Sequence, residues 1–253
     1  MGALDGKVAL VTGAGRLRGI GRATALALAE LGADVVVTGT GRDPSTYPED
    51  EKKAGWRDVE STAEQIRAHG RRALTWTGDI SKSEAVGRLV DSVMTTFGRL
   101  DVLVNNAAYP RGNDRVPLPD LDEAIWRKVL DIKLTGAFLL CKRVVPIMIQ
   151  QKWGRIINLS SIAGKRGAPN TAAYNVANFG IQGLTQSLAR RWRATGSPST
   201  RSAPAPSRRL EWMFWGAARA GSDSSTGSPW AAPPPTRRSR ASSPFSARPP
   251  PRS

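Results

Sequence analysis

Cysteine and histidine are almost missing: the 253 residues hold one of each, Cys141 and His69. A single thiol closes no internal disulfide, so a reduced, cytoplasmic setting is expected. A single imidazole excludes a multi-histidine metal centre, and no metal is expected. Any Ser-His-Asp arrangement would have to use His69, which sits in the polar stretch IRAHGRR and reads as a solvated helix-end residue. Long apolar runs are missing as well. The most apolar stretch, AFLLCKRVVPIMI, is broken by Lys142 and Arg143, so no membrane span is expected. The opening MGALDGKVALVTG lacks the basic-then-apolar layout of a secretory signal. Acidic residues are scarce, 21 Asp+Glu against 37 Lys+Arg, which leaves a formal charge of +16. That excess would suit an anionic partner such as nucleic acid. It is unevenly spread, however. From Arg190 onward twelve arginines meet only Glu211 and Asp223, and the same stretch holds eleven of the 18 prolines. Arginine runs without interleaved stacking aromatics do not make a nucleic-acid platform, so a nucleic-acid partner is not expected.

Five short runs are apolar almost without alternation: KVALVTG, ADVVVTG, RALTWTG, DVLVNNA and GRIINLSS. Such runs read as strands buried on both faces. Amphipathic segments of helical length lie between them, Arg22 to Leu31, Val59 to Ala68, Ser83 to Phe97 and Asp122 to Gln151, with a further one from Ala172 to Ala189. Strand and helix alternate, which predicts an α/β fold: a Rossmann-type, doubly wound parallel sheet with helices on both faces. The expected organisation is a domain over residues 1–190 and a Pro-, Arg- and Ser-rich tail over 191–253. Such a composition buries too little apolar surface to offset chain entropy, so the tail is expected to be disordered. The stretch Asp43 to Trp56 exceeds a usual strand-to-helix connection; of two readings, a segment folded over one end of a ligand site and a solvated excursion, the second is expected.

The segment VTGAGRLRGIGRA comes after the first strand and opens the first helix. In that context Gly13, Gly15, Gly19 and Gly21 permit a tight turn, and backbone N–H groups and the helix N-terminus can meet a pyrophosphate. A dinucleotide is the expected ligand, with Arg16 and Ile20 in the same loop. The end of the second strand, VVVTGTGRDP, lacks the acidic residue that would bind a ribose 2′-hydroxyl. Arg42, with Arg16 and Arg18 in the glycine loop, instead suits a 2′-phosphate, so NADP is expected in preference to NAD.

Thr12-Gly13 with Gly19-Ile20-Gly21, the DVLVNNAA strand, INLSSIAG and the segment AAYNVANFG together resemble the short-chain dehydrogenase/reductase family over roughly residues 5–190. Within that family the chain resembles the 3-oxoacyl-acyl-carrier-protein reductases. The resemblance implies a nicotinamide cofactor, a small-molecule carbonyl or alcohol substrate, with a 3-oxoacyl thioester as candidate, and a family habit of homo-oligomers. It further implies that Asp79 and Ile80 border the adenine, that Asn106 braces the cofactor, that Ser161 polarises the substrate oxygen and that Tyr174 gives or takes its proton. Three departures stand out. Five residues separate Gly13 from Gly19 where the family has three. Asn178 occupies the place of the family's lysine in Y-x-x-x-K, and Lys133 that of an asparagine in the long helix. An isolated phenol titrates near 10, so working near pH 7 needs about 4 kcal/mol of differential stabilisation, which a neutral amide does not supply. Either the site has lost its cation, or Lys133 supplies it from another helix. The alternative function is a dinucleotide-binding relic without catalysis. The family's next strand is not legible after the last helix. A reading displaced by one frame over Thr195 to Ala205 permits Gly-Ile-Thr/Ala-Val-Asn-Ala-Val-Gly-Pro-Gly, so the tail is expected to be the product of a frame change near Arg190 to Trp192.

Overall fold

The computed structural model describes residues 2–194. Apolar, mostly β-branched runs form five strands: β1 (Val8–Val11), β2 (Asp34–Gly39), β3 (Ala73–Thr77), β4 (Val102–Asn105) and β5 (Arg155–Asn158). All pair in parallel, in the order β3-β2-β1-β4-β5. Parallel neighbours need crossovers, and helices supply them: α1 (Ile20–Glu30), α2 (Glu49–Lys53), α3 (Val59–Ala68), α4 (Ser83–Phe97), α5 (Glu123–Leu130), α6 (Gly136–Gln150) and α7 (Ala172–Ala194). The Rossmann-type sheet expected from the alternation is present. The last helix runs to Ala194, beyond the Ala189 expected. The rest of the 191–253 stretch, with the expectations of disorder and altered frame, lies outside the described residues.

The two faces of the sheet carry separate cores because side chains alternate along a strand. Val8 and Leu10 of β1 join Leu103, Leu89, Val93, Leu140 and Met148, under α4 and α6. Ala9 and Val11 face the other way, onto Val35, Val37, Ala25, Ala29 and Ile66, under α1 and α3. Each fully buried Leu, Ile or Val contributes about 1.5–3 kcal/mol. A polar chain threads between β4, β5 and α7: Asn105 Nδ2 donates to Asn158 Oδ1 at 2.7 Å, and Asn158 Nδ2 to Thr185 Oγ1 at 3.0 Å.

The single helix expected from Asp122 to Gln151 is three pieces. Asp122 caps α5 by accepting the N–H of Ala124 and of Ile125, at 2.6 and 3.2 Å. A π-turn over Asp131–Thr135 then joins α5 to α6. Widening the turn by one residue rotates α6 relative to α5. It also turns Lys133 into the interior, where the residue is 7% exposed. Between β1 and β4 the strand order reverses direction, so their C-terminal ends form the crevice where such sheets take ligands.

Candidate active site

The glycine loop closes against the end of β4. Thr12 Oγ1 accepts the N–H of Asn106 and of Ala107, both at 3.0 Å, and Asn106 Nδ2 donates to the carbonyls of Thr12 and Gly13 at 2.8 and 3.0 Å. Asn106 therefore braces the loop itself. Gly13 has φ 67°, and a Cβ there would stand 2.9 Å from Ala107 Cα, so both conformation and space require glycine. At Gly21 a Cβ would collide with the carbonyl of Gly13. The loop thus runs bare backbone past the start of α1, whose N-cap, Gly19, offers no side-chain acceptor to the first-turn N–H groups. Those donors are left for an anion. Ile20 and Arg16 are exposed at the rim, and Arg18 pairs with Asp50 at 3.0 Å.

The stretch from Asp43 to Trp56 is not a solvated excursion. It carries α2 and folds back onto the glycine loop, burying Tyr47, Glu51 and Trp56. Glu51 accepts the N–H of Leu17 at 3.0 Å, and Trp56 Nε1 donates to the carbonyl of Gly15 at 2.6 Å. The two extra loop residues are thereby matched by the extra residues after β2. Arg42 is part of the same clasp: its guanidinium meets Glu51 at 2.7 Å, Asp58 at 3.4 Å and the carbonyl of Gly15 at 3.0 Å, and lies over the Tyr47 ring. Burial alone would lower its pKa, but Glu51 and Asp58 hold it above its ordinary value. Arg42, expected to suit a 2′-phosphate, has its guanidinium engaged by two carboxylates. Neither Glu51 nor Asp58 stands out in the sequence, because each acquires its role only through tertiary contact.

At the end of β3, Asp79 accepts the N–H of Ser81 at 2.9 Å. Burial opposes ionisation there, but the Ser81 hydrogen bonds and Lys82 hold the carboxyl below its usual range. Ile80 is buried, with its Cδ1 3.1 Å from where a Cβ on Gly136 would lie.

The last strand and α7 bring the second group of residues together. Ser161 comes just after β5 and caps a 3₁₀ turn, Ile162–Gly164, its Oγ accepting the N–H of Ala163 at 3.2 Å. The hydroxyl proton of Ser161 remains free to donate. Ser160 Oγ donates to the carbonyl of Asn178 at 3.1 Å. Asn178 is fully buried. Its Nδ2 turns back to the carbonyl of Tyr174 at 2.8 Å, and its Oδ1 has no partner among the described residues. Lys133 Nζ donates to the carbonyl of Leu159 at 2.9 Å, one residue before Ser160. Among the described residues no carboxylate balances this ammonium, and burial lowers its pKa from 10.5 to about 8. The two exchanged residues thus lie on one hydrogen-bonded seam, Lys133 to Leu159, Ser160 to Asn178, and Asn178 to Tyr174. Sequence reasoning missed Arg115, whose guanidinium carbon stands 3.9 Å from the Tyr174 ring centroid and whose Nε pairs with buried Asp114 at 3.2 Å. No periodicity or spacing marks that residue.

A Rossmann-type sheet with a glycine loop at its switch point, and a Ser and a Tyr beside it, defines a class of nucleotide-dependent oxidoreductases. Residues 7–197 match the short chain dehydrogenase family, and the chain belongs to it. It is 38% identical over 206 residues to a 3-oxoacyl-[acyl-carrier-protein] reductase of Synechocystis, a match covering 81% of this chain and 75% of that one. Among solved structures it is similar to an NAD+-bound xylitol dehydrogenase, with TM-score 0.66, 38% identity and coverage of 76% of this chain and 67% of that one. It is likewise similar to a metagenomic short-chain oxidoreductase in complex with NADP, with TM-score 0.65, 37% identity and coverage of 76% and 78%.

Proposed function

We propose that the chain moves a hydride between NAD(P) and a carbonyl or secondary alcohol, with Tyr174 exchanging the proton on the substrate oxygen and Ser161 donating a hydrogen bond to that oxygen. The observation that carries this reading is the seam at the end of β5, where the buried ammonium of Lys133 holds the carbonyl of Leu159, Ser160 meets the backbone of Asn178, and Asn178 holds the backbone of Tyr174. The loop fits a dinucleotide: bare backbone at Gly13, Gly19 and Gly21, and uncapped first-turn N–H groups at Ile20 and Gly21, suit a pyrophosphate, while Gly15, Arg16 and Asn106 shape its rim and brace. Asp79 and Ile80 stand at the end of β3, where an adenine edge would lie. Bound there, the nicotinamide supplies or accepts the hydride. The phenol of Tyr174 gives its proton as the carbonyl oxygen gains charge and takes it back in the reverse direction. Lys133 supplies the buried positive charge that the family's lysine would carry, held on the carbonyl of Leu159, and Asn178 holds the helix turn beneath Tyr174.

The relatives named as 3-oxoacyl-acyl-carrier-protein reductases support a 3-oxoacyl thioester as substrate. The test is reduction of an acetoacetyl thioester and a panel of ketones by NADH or NADPH. Carbonyl-dependent oxidation of the cofactor that disappears in Tyr174→Phe is expected. Dinucleotide binding with no turnover on any carbonyl would leave the non-catalytic relic as the better reading.

A further inference from the structure

The last residue of β2, Gly39, has no side chain, and the space beside it is filled from another element. A Cβ built on Gly39 would stand 3.2 Å from Asp58 Oδ1 and 3.7 Å from its Cγ. A Cβ on Gly15 of the glycine loop would overlap the same Oδ1. Asp58 precedes α3, and its backbone φ of 51° is unfavourable for a non-glycine residue. The strain turns the carboxylate inward, between the end of β2 and the loop. There the side chain is only 9% exposed. Oδ2 takes the N–H of Arg42 at 3.2 Å and its Nε at 3.4 Å, while Oδ1 accepts no hydrogen bond among the described residues. Oδ1 therefore keeps acceptor capacity for a donor that a ligand brings to the end of β2.

In dinucleotide-binding sheets, a carboxylate at the end of the second strand accepts from the adenosine ribose 2′-hydroxyl, and a cation there admits a 2′-phosphate. This chain carries no acid at the end of β2. We propose that Asp58, delivered across the loop from the start of α3, is the residue that reads the ribose 2′ position, and that it selects NAD(H) over NADP(H). The proposal rests on the dinucleotide reading of the site and sharpens it. Charge agrees with geometry. Glu51 and Asp58 together carry two negative charges against the single positive charge of Arg42, so the cluster repels a 2′-phosphate dianion. Arg42 cannot turn to that phosphate without leaving both carboxylates, Glu51 being almost wholly buried.

Calorimetric titration of the full chain with NADH and NADPH tests this without requiring turnover. NADH is expected to bind at least tenfold more tightly. Asp58→Asn keeps the shape and removes the charge, and should reduce that ratio at least tenfold, chiefly by tightening NADPH. Asp58→Gly relieves the backbone strain and removes the acceptor; it should weaken NADH while remaining folded, which keeps the test usable if the asparagine variant does not fold. Equal or tighter binding of NADPH by the parent chain, or an unchanged ratio in both variants, overturns the assignment of Asp58 and leaves the dinucleotide site standing. Binding of neither cofactor by the folded parent overturns the dinucleotide reading and this assignment with it.

Discussion

Trp56 Nε1 donates to the carbonyl oxygen of Gly15 at 2.6 Å, and Arg42 reaches the same oxygen at 3.0 Å. One loop carbonyl therefore anchors both ends of the segment after β2. Replacing Trp56 by Phe keeps most of the ring and removes the donor. A lost hydrogen bond of about 0.5–1.5 kcal/mol translates into up to about tenfold weaker dinucleotide binding, read by calorimetry. Trp56→Ala also opens a cavity and should cost about 3–5 kcal/mol of stability in denaturant unfolding.

The exchange of Lys133 and Asn178 makes a prediction in kinetics. Lys133→Asn is expected to lower kcat by about 10²- to 10⁴-fold, the usual range for an acid–base contribution, with cofactor Kd changed far less. Asn178→Lys alone places a second ammonium in a closed interior and should gain nothing. The double variant, Lys133→Asn with Asn178→Lys, restores the more familiar arrangement and should recover activity. Higher activity in Asn178→Lys alone would show instead that the site lacks a cation.

The same lysine predicts a pH effect on stability. Burial lowers its pKa from 10.5 to about 8, so between those values the unfolded chain holds a proton that the folded chain has released. Stability contributed by this group therefore rises from about pH 8 to about 10.5, recovering roughly 3 kcal/mol that the buried charge costs at pH 7. Paired melts of the parent and Lys133→Met across that range should show the parent gaining relative to the variant as pH increases. A difference that does not vary with pH would mean the ammonium is not desolvated in the folded protein.

Cys141 is buried on the inner face of α6, and burial pushes its thiol up to about 12 against a weak contact from Asn105. Native protein at pH 8 should leave an aromatic disulfide reagent unreacted, and one equivalent should react in denaturant. A fast native reaction would show that the α6 face opens readily.

The sheet was legible because its central strands are buried on both sides and mostly apolar, β1, VALV, being the plainest case; edge strand β3, expected to be buried on both faces, is only partly buried. The glycine loop was legible for a similar reason, since no other residue fits Gly13 or Gly21. The clasp was not. Tyr47, Glu51 and Trp56 obey no period, and their burial depends on two extra residues in a loop much earlier in the chain. Asp58 reads in sequence as an ordinary helix-start acid; only its backbone φ and the way its carboxylate fills the space beside Gly39 and Gly15 reveal where that side chain goes. Lys133 was legible as a departure, but its inward position depends on the π-turn, which amphipathic spacing does not show.

The polar chain Asn105–Asn158–Thr185 has a mechanical consequence for Tyr174. Thr185 lies eleven residues after Tyr174 on α7, close to three full turns, so both lie on the same side of the helix about 16 Å apart. Sliding α7 by one residue would swing Thr185 about 100° away and strand the Asn158 amide in the core. The contact midway along the helix is therefore an index pin, and the phenol near its N-terminal end inherits its angular position from two asparagines of neighbouring strands.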